Sequence, residues 1–63
     1  MNIRLTQENA SKYIGYKIRF KTDGKFIDKI ILGVSRTSVR IDYPRLNNSA
    51  TISRRIFVIT TNN

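Results

Sequence analysis

Asp23-Gly24 is the most restrictive dipeptide in the chain: a type I′ two-residue hairpin turn needs positive φ at both central positions, and Asp-Gly is a pair that accepts it. Before it, Tyr16, Ile18 and Phe20 alternate with Lys17, Arg19 and Lys21, the period of a strand with one dry and one wet face. After it, the run Phe26 to Val34 predicts a long return strand. Its alternation does not hold one phase, because Phe26, Ile30, Leu32 and Val34 share a side with the charged Asp28. That mismatch predicts a bulge or sharp bend near Asp28 and Lys29, with Gly33 allowing a second close approach.

The flanking segments complete a small β domain. Val39, Ile41 and Tyr43 alternate with Ser38, Arg40 and Asp42, and Pro44, which cannot donate to a ladder, ends that strand at a surface loop through Ser49. Arg54-Arg55 interrupts the apolar residues between Thr51-Ile52-Ser53 and Ile56-Phe57-Val58-Ile59, so a tight corner between two short strands is expected there, followed by a polar tail from Thr60. At the other end, Thr6 as cap, Leu5 as staple, Glu8 near the positive end of the dipole and Gly15 as stop predict a short helix. Ala10, Tyr13 and Ile14 would form its buried face. The expectation is a single mostly β domain over 1–63, with a helix at about 6–14 and strands at about 16–22, 26–34, 38–43, 50–53 and 56–60.

Composition supports folding and removes most chemistry. Ile, Val and Thr supply ten, three and six of 63 residues, which favours strands over disorder. A chain this small buries only about 60% of its unfolded surface, and with no Cys it has no disulfide to offset that. Without His or Cys the usual zinc, copper and haem ligands, the thiol nucleophile and the imidazole base are missing. The carboxylates Glu8, Asp23, Asp28 and Asp42 fall on different predicted elements with no D-x-D spacing, and no glycine-rich phosphate loop is present. No enzyme, cofactor or metal is therefore expected. No apolar stretch approaches the roughly 18 residues of a membrane span, and no signal segment is evident, so a soluble, cytoplasmic protein is the expectation.

Element order and spacing, with a short N-terminal helix, five strands, a long bent second strand and a tight corner between the last two, resemble the small five-stranded β-barrel of Sm-like and SH3-like domains across almost the whole chain. The resemblance implies a binding module for RNA, DNA or a protein strand that often works as an oligomer. It carries no family binding residue onto this sequence, since the glycine and asparagine signatures of true Sm proteins have no clear counterpart.

The charge points the same way. Twelve Lys and Arg against four acids give +8, a balance that usually reports a polyanionic partner. Lys17, Arg19 and Lys21 line one strand face, Lys25 sits in the adjoining turn, and a standard hairpin would bring Lys29 beside them, a stripe able to track repeating phosphates. The same residues would also serve as a solvated face that guards a strand edge. Arg36, Arg40, Arg54 and Arg55, with Arg45 from the loop, form a second group suited to bidentate phosphate contacts, although Arg40 near Asp42 could be a local ion pair and Arg54-Arg55 a mere polar corner. Phe20, Phe26 and Phe57 fall on apolar phases and are expected in the core, while Tyr43, before the Pro44 loop, is the aromatic most open to a base.

A small basic module contacting nucleic-acid phosphates with little sequence discrimination is the leading expectation. One alternative is a structural protein, as in a viral particle or multi-subunit complex, assembling as a homo-oligomer or with other chains through strand edges. The terminal pair 52–59 would then continue a neighbour's sheet. A pocket for a small anion or nucleotide is the other.

Overall fold

A computed structural model describes residues 2–59; Thr60, the last residue of the expected final strand, and the tail to Asn63 lie outside it. Seven strands build two antiparallel sheets: β1 (Asn2–Arg4), β2 (Lys17–Thr22), β3 (Lys25–Ile30) and β7 (Ile56–Ile59) form one in the order β1-β7-β2-β3, and β4 (Gly33–Val34), β5 (Ser38–Arg40) and β6 (Ser49–Thr51) form the other in the order β4-β5-β6.

The hairpin folds as its turn dictates. Asp23 (φ 53°) and Gly24 (φ 78°) both take positive φ, and β2 pairs with β3 without interruption from Lys17↔Ile30 to Thr22↔Lys25. There is consequently no bulge at Asp28 and Lys29. The phase shared by Phe26, Asp28 and Ile30 is simply the outer face, and the chain changes sheets one step later, at Ile31 and Leu32. The Ile31 N–H donates to the Tyr16 carbonyl, still in the first sheet, while the Leu32 N–H donates to the Arg40 carbonyl of the second. The expected strand at 26–34 is thus two strands, β3 and β4.

No five-stranded barrel closes. Among the described residues no ladder joins β6 to β7 or β1, because the tight turn between β6 and β7 reverses the chain, with the Arg54 N–H bonded to the Thr51 carbonyl, and both flanking strands are too short to wrap across the gap. The expected strand at 38–43 is shortened to β5, although the Ile41 N–H still donates to the Asn48 carbonyl. Asn47 and Asn48, at φ 55° and 61°, supply the left-handed geometry the Pro44 loop requires. β1 was not expected from sequence; it runs along β7, which is therefore flanked on both sides and cannot continue a neighbour's sheet.

The N-terminal helix is also corrected. Its capping signal is real, since the Asn9 N–H donates to Thr6 Oγ1 and the Thr6 N–H to Asn9 Oδ1, but only a 3-10 turn, Ala10–Tyr13, follows it. A two-turn α-helix has little intrinsic stability, and the chain must swing out at Gly15 (φ 93°) so that its N–H can reach the Ile31 carbonyl. In 3-10 geometry residues three apart eclipse. Ala10 is accordingly buried and Tyr13 half-buried, while Ile14, expected on the same face, is 50% exposed.

Between the sheets lies one core: Leu5, Ala10, Ile18, Phe20, Ile31, Val39, Ile41, Ala50, Ile52, Ile56 and Val58. One face of β2, Ile18, Phe20 and Thr22, is buried, as the alternation requires of Ile18 and Phe20, whereas Tyr16, expected on the same face, precedes the strand and is 46% exposed.

Candidate functional site

The uncovered face of the four-stranded sheet gathers most of the residues of interest. Pairing registers set the side chains in rows: Arg4, Phe57, Arg19 and Asp28 across β1, β7, β2 and β3; then Ile59, Lys17 and Ile30; then Lys21 and Phe26. Lys17, Arg19 and Lys21 are exposed on this face, as expected. Beside them stand residues that sequence reasoning sent elsewhere. Phe26, assigned to the core, is 66% exposed, and Phe57 is half-buried between Arg4 and Arg19; only Phe20 is a core phenylalanine. The reason lies in the register: Phe26 is paired with Lys21, so both point away from the second sheet.

Arg4 went unremarked in the sequence, though a signal was available, because Ile3 and Leu5 flank it at strand spacing and point inward. Lys29 is a correction. Its register partner is Ile18, which puts it on the opposite side of the hairpin from Lys17, Arg19 and Lys21, with its Nζ 5.4 Å from the centre of the Tyr43 ring. Tyr43, singled out for a base, is half-buried beneath that ammonium. Lys25 pairs with Thr22 at the hairpin end and is exposed.

Electrostatics divide the outer-face cations into held and free. Arg19 grips Asp28 with two hydrogen bonds, Nε to Oδ1 at 2.8 Å and Nη2 to Oδ2 at 3.0 Å. Those bonds lower the Asp28 carboxyl below its ordinary value and raise the Arg19 guanidinium. Lys21 leans towards its cross-strand neighbour, Nζ 5.8 Å from the Phe26 ring centre. Among the described residues neither Arg4, Lys17 nor Lys21 has a carboxylate partner.

The second arginine group does not converge. Arg54 lies over the Phe20 ring at 5.7 Å and donates to the Lys21 carbonyl at 3.0 Å, a packing role that leaves it half-buried. Arg45 pairs with Asp23 at 3.0 Å. Arg40 presses on Gly33, where an added Cβ would come within 3.0 Å of its guanidinium, and makes no ion pair with Asp42. Arg36 and Arg55 are exposed, and the Arg36 carbonyl accepts a hydrogen bond from the Gln7 side-chain amide. Next to that amide is an open hollow of about 340 Å³ lined by Gln7, Thr37, Thr51, Ile52 and Ser53; none of these is charged, so the convergence of cations expected of a small-anion pocket is missing there.

Among the described residues no three His, Cys, Asp or Glu side chains cluster as metal ligands, and no helix is long and apolar enough to cross a membrane. Neither protein-family models, nor curated proteins, nor solved structures provide a match to the chain, so no comparison supports the expected likeness to Sm-like and SH3-like domains.

Proposed function

We propose that this chain is a nucleic-acid-binding module whose phosphate-contacting surface is the outer face of the β1-β7-β2-β3 sheet, and that its two sheets, sharing the bent β3–β4 path, are an open relative of the small SH3-like or Sm-like barrel. The observation that carries the reading is the company Lys17, Arg19 and Lys21 keep: Arg4 joins them across two strands, and Asp28 is the one carboxylate on the face among the described residues. Cations about 7 Å apart along a strand, repeated on neighbouring strands about 5 Å away, can follow a chain of phosphates and release its counterions. Lys25, paired with the buried Thr22, falls on the side of the hairpin opposite to Lys17, Arg19 and Lys21 and is not assigned to this surface. Lys29, Arg54 and Tyr43 are not assigned to it.

The test is binding of labelled oligonucleotides at about 50 and 200 mM salt by the wild type and by Lys17, Arg19 and Lys21 replaced together with Ser. Wild-type affinity falls steeply with salt, and the triple variant flattens the log–log slope by about 1.4, at roughly 0.7 for each of the two unpaired lysines on a single strand. Equal slopes would remove the assignment of this face.

A second reading, that of an interaction protein, is favoured by one observation. Ile14, Tyr16, Ile30 and Leu32 are each 46–50% exposed, and backbone bonds from Gly15 to Ile31 and from Ile31 to Tyr16 bring the two segments side by side. Self-association through that cluster predicts a mass that rises with concentration and reverts to monomer in Leu32→Ser.

A further inference from the structure

Two phenyl rings on a cationic sheet face call for a ligand with flat apolar parts as well as phosphates. We infer that the ligand of this face is a single-stranded nucleic acid whose bases stack on Phe26 and Phe57 while Arg4, Lys17 and Lys21 take its phosphates, an inference that rests on the phosphate-binding reading above.

Among the described residues Phe26 is the most exposed large apolar side chain, 66% open, and its ring interacts with the Lys21 ammonium. A ring so placed is available to cover a base, and the ammonium beside it is available to that base's phosphate. Phe57 sits in the middle of the sheet with an arginine on each neighbouring strand, Arg4 and Arg19. Arg19 is already fixed by Asp28 through two bonds that draw its guanidinium towards β3, on the side away from Phe57, and this leaves Arg4 as the free charge of that row.

The two rings lie two strands and two residues apart, from β7 across β2 to β3, which amounts to about 12 Å at ordinary strand spacings. That distance is too long for one nucleotide and suits an unstacked strand crossing the sheet diagonally, with cations of β2 between its ends. A duplex offers such a face only its sugar-phosphate rim, since its bases are stacked on one another, and the rings would gain nothing from it. Stacking and phosphate contact read no base edge, so discrimination among sequences is weak.

The experiment compares three probes of equal length with the intact protein at about 50 mM salt: oligothymidylate, an abasic deoxyribose-phosphate strand, and a DNA duplex. Oligothymidylate binds at least about tenfold more tightly than the abasic strand, and Phe26→Ala or Phe57→Leu removes about that factor while leaving the salt slope unchanged. Phe57→Leu keeps the apolar volume of a half-buried position and so retains the fold. The chain has no tryptophan, so Phe26→Trp supplies a unique emission that oligothymidylate quenches and the abasic strand does not. Equal binding of all three probes, or phenylalanine variants that bind as the wild type does, overturns the stacking inference and leaves the phosphate reading standing. Failure of every probe to bind overturns both.

Discussion

The two faces of β2 and its neighbours contain similar apolar residues and treat them in opposite ways. Inward, Ile18, Phe20, Ile56 and Val58 are at most 1% exposed; outward, Phe26 and Ile30 are 66% and 46% exposed, set among Arg4, Lys17, Arg19 and Lys21. Residue type does not distinguish Phe20 from Phe26. What distinguishes them is whether a second layer covers the side of the sheet their pleat selects, and the β4-β5-β6 sheet covers only one.

Phe20→Ala gives the largest expected effect. Removing a fully buried ring costs about 3–5 kcal/mol, and Arg54, packed over that ring, loses its support. Small domains have totals of similar size, so the variant is expected to be largely unfolded at 25 °C by circular dichroism, and a melting curve close to wild type would contradict the placement of the core.

The hairpin that creates the two faces can be attacked without touching either of them. Gly24→Val places a β-branched residue at φ 78°, where no side chain obstructs it but the backbone does, at a cost of about 1–3 kcal/mol. A lowered urea midpoint with unchanged slope is the expected result. An unaltered midpoint would mean that the turn tolerates a different geometry.

Much of this organisation is legible in the amino-acid order. The turn at Asp23-Gly24, the alternation of Lys17 to Thr22 and the left-handed asparagines after Pro44 are short-range signals, settled by the φ preferences of single residues and by a period of two. The uneven phase around Asp28 was visible as well, yet its resolution was not, because an apolar residue on a strand carries no mark of whether another layer will cover it. Reading Phe26 and Ile30 as core demanded a bulge; accepting them as exposed demands none, and the regular register follows. The helix failed for a similar reason. Thr6 and Asn9 cap one another as a helix start would, but Gly15 has to meet Ile31, a partner sixteen residues away, and that tertiary bond sets the turn's length. In the candidate site, Lys29 was expected beside Lys17, Arg19 and Lys21 from a standard hairpin, yet the two-residue turn that pairs Thr22 with Lys25 also pairs Lys29 with the inward Ile18. Arg54 was misassigned because nothing local announces that an arginine will lie over a distant ring.

A smaller effect comes from the ion pair that divides the outer face into held and free cations. Asp28→Asn releases Arg19, adds a free cation beside Phe57 and steepens the salt slope for a single strand by about 0.7, with tighter binding at low salt. The same variant tests the pair's share of stability. Arg19 holds the Asp28 carboxyl below its ordinary value, so the pair stabilises the fold above the ordinary carboxylate range and loses that contribution as pH falls through the lowered value. Wild type and Asp28→Asn should differ in melting temperature by a constant amount at neutral pH and converge as the pH falls through the lowered carboxyl value. Because both side chains are substantially exposed, the neutral-pH difference is small.

The smallest expected effect is the most informative for the comparison. Phe26→Ala removes the same ring as Phe20→Ala from the same hairpin, yet its stability should change by no more than about 0.5 kcal/mol, as is usual at exposed positions away from packing and caps. The interaction at risk is that with the exposed Lys21 ammonium, which is weak at an exposed site. A near-silent variant in thermal melting that nevertheless loses single-strand affinity would separate what folds this chain from what the face is for. A loss above about 1.5 kcal/mol would instead mean that a second layer covers Phe26 in solution, supplied by another copy of the chain, and the difference would then grow with protein concentration.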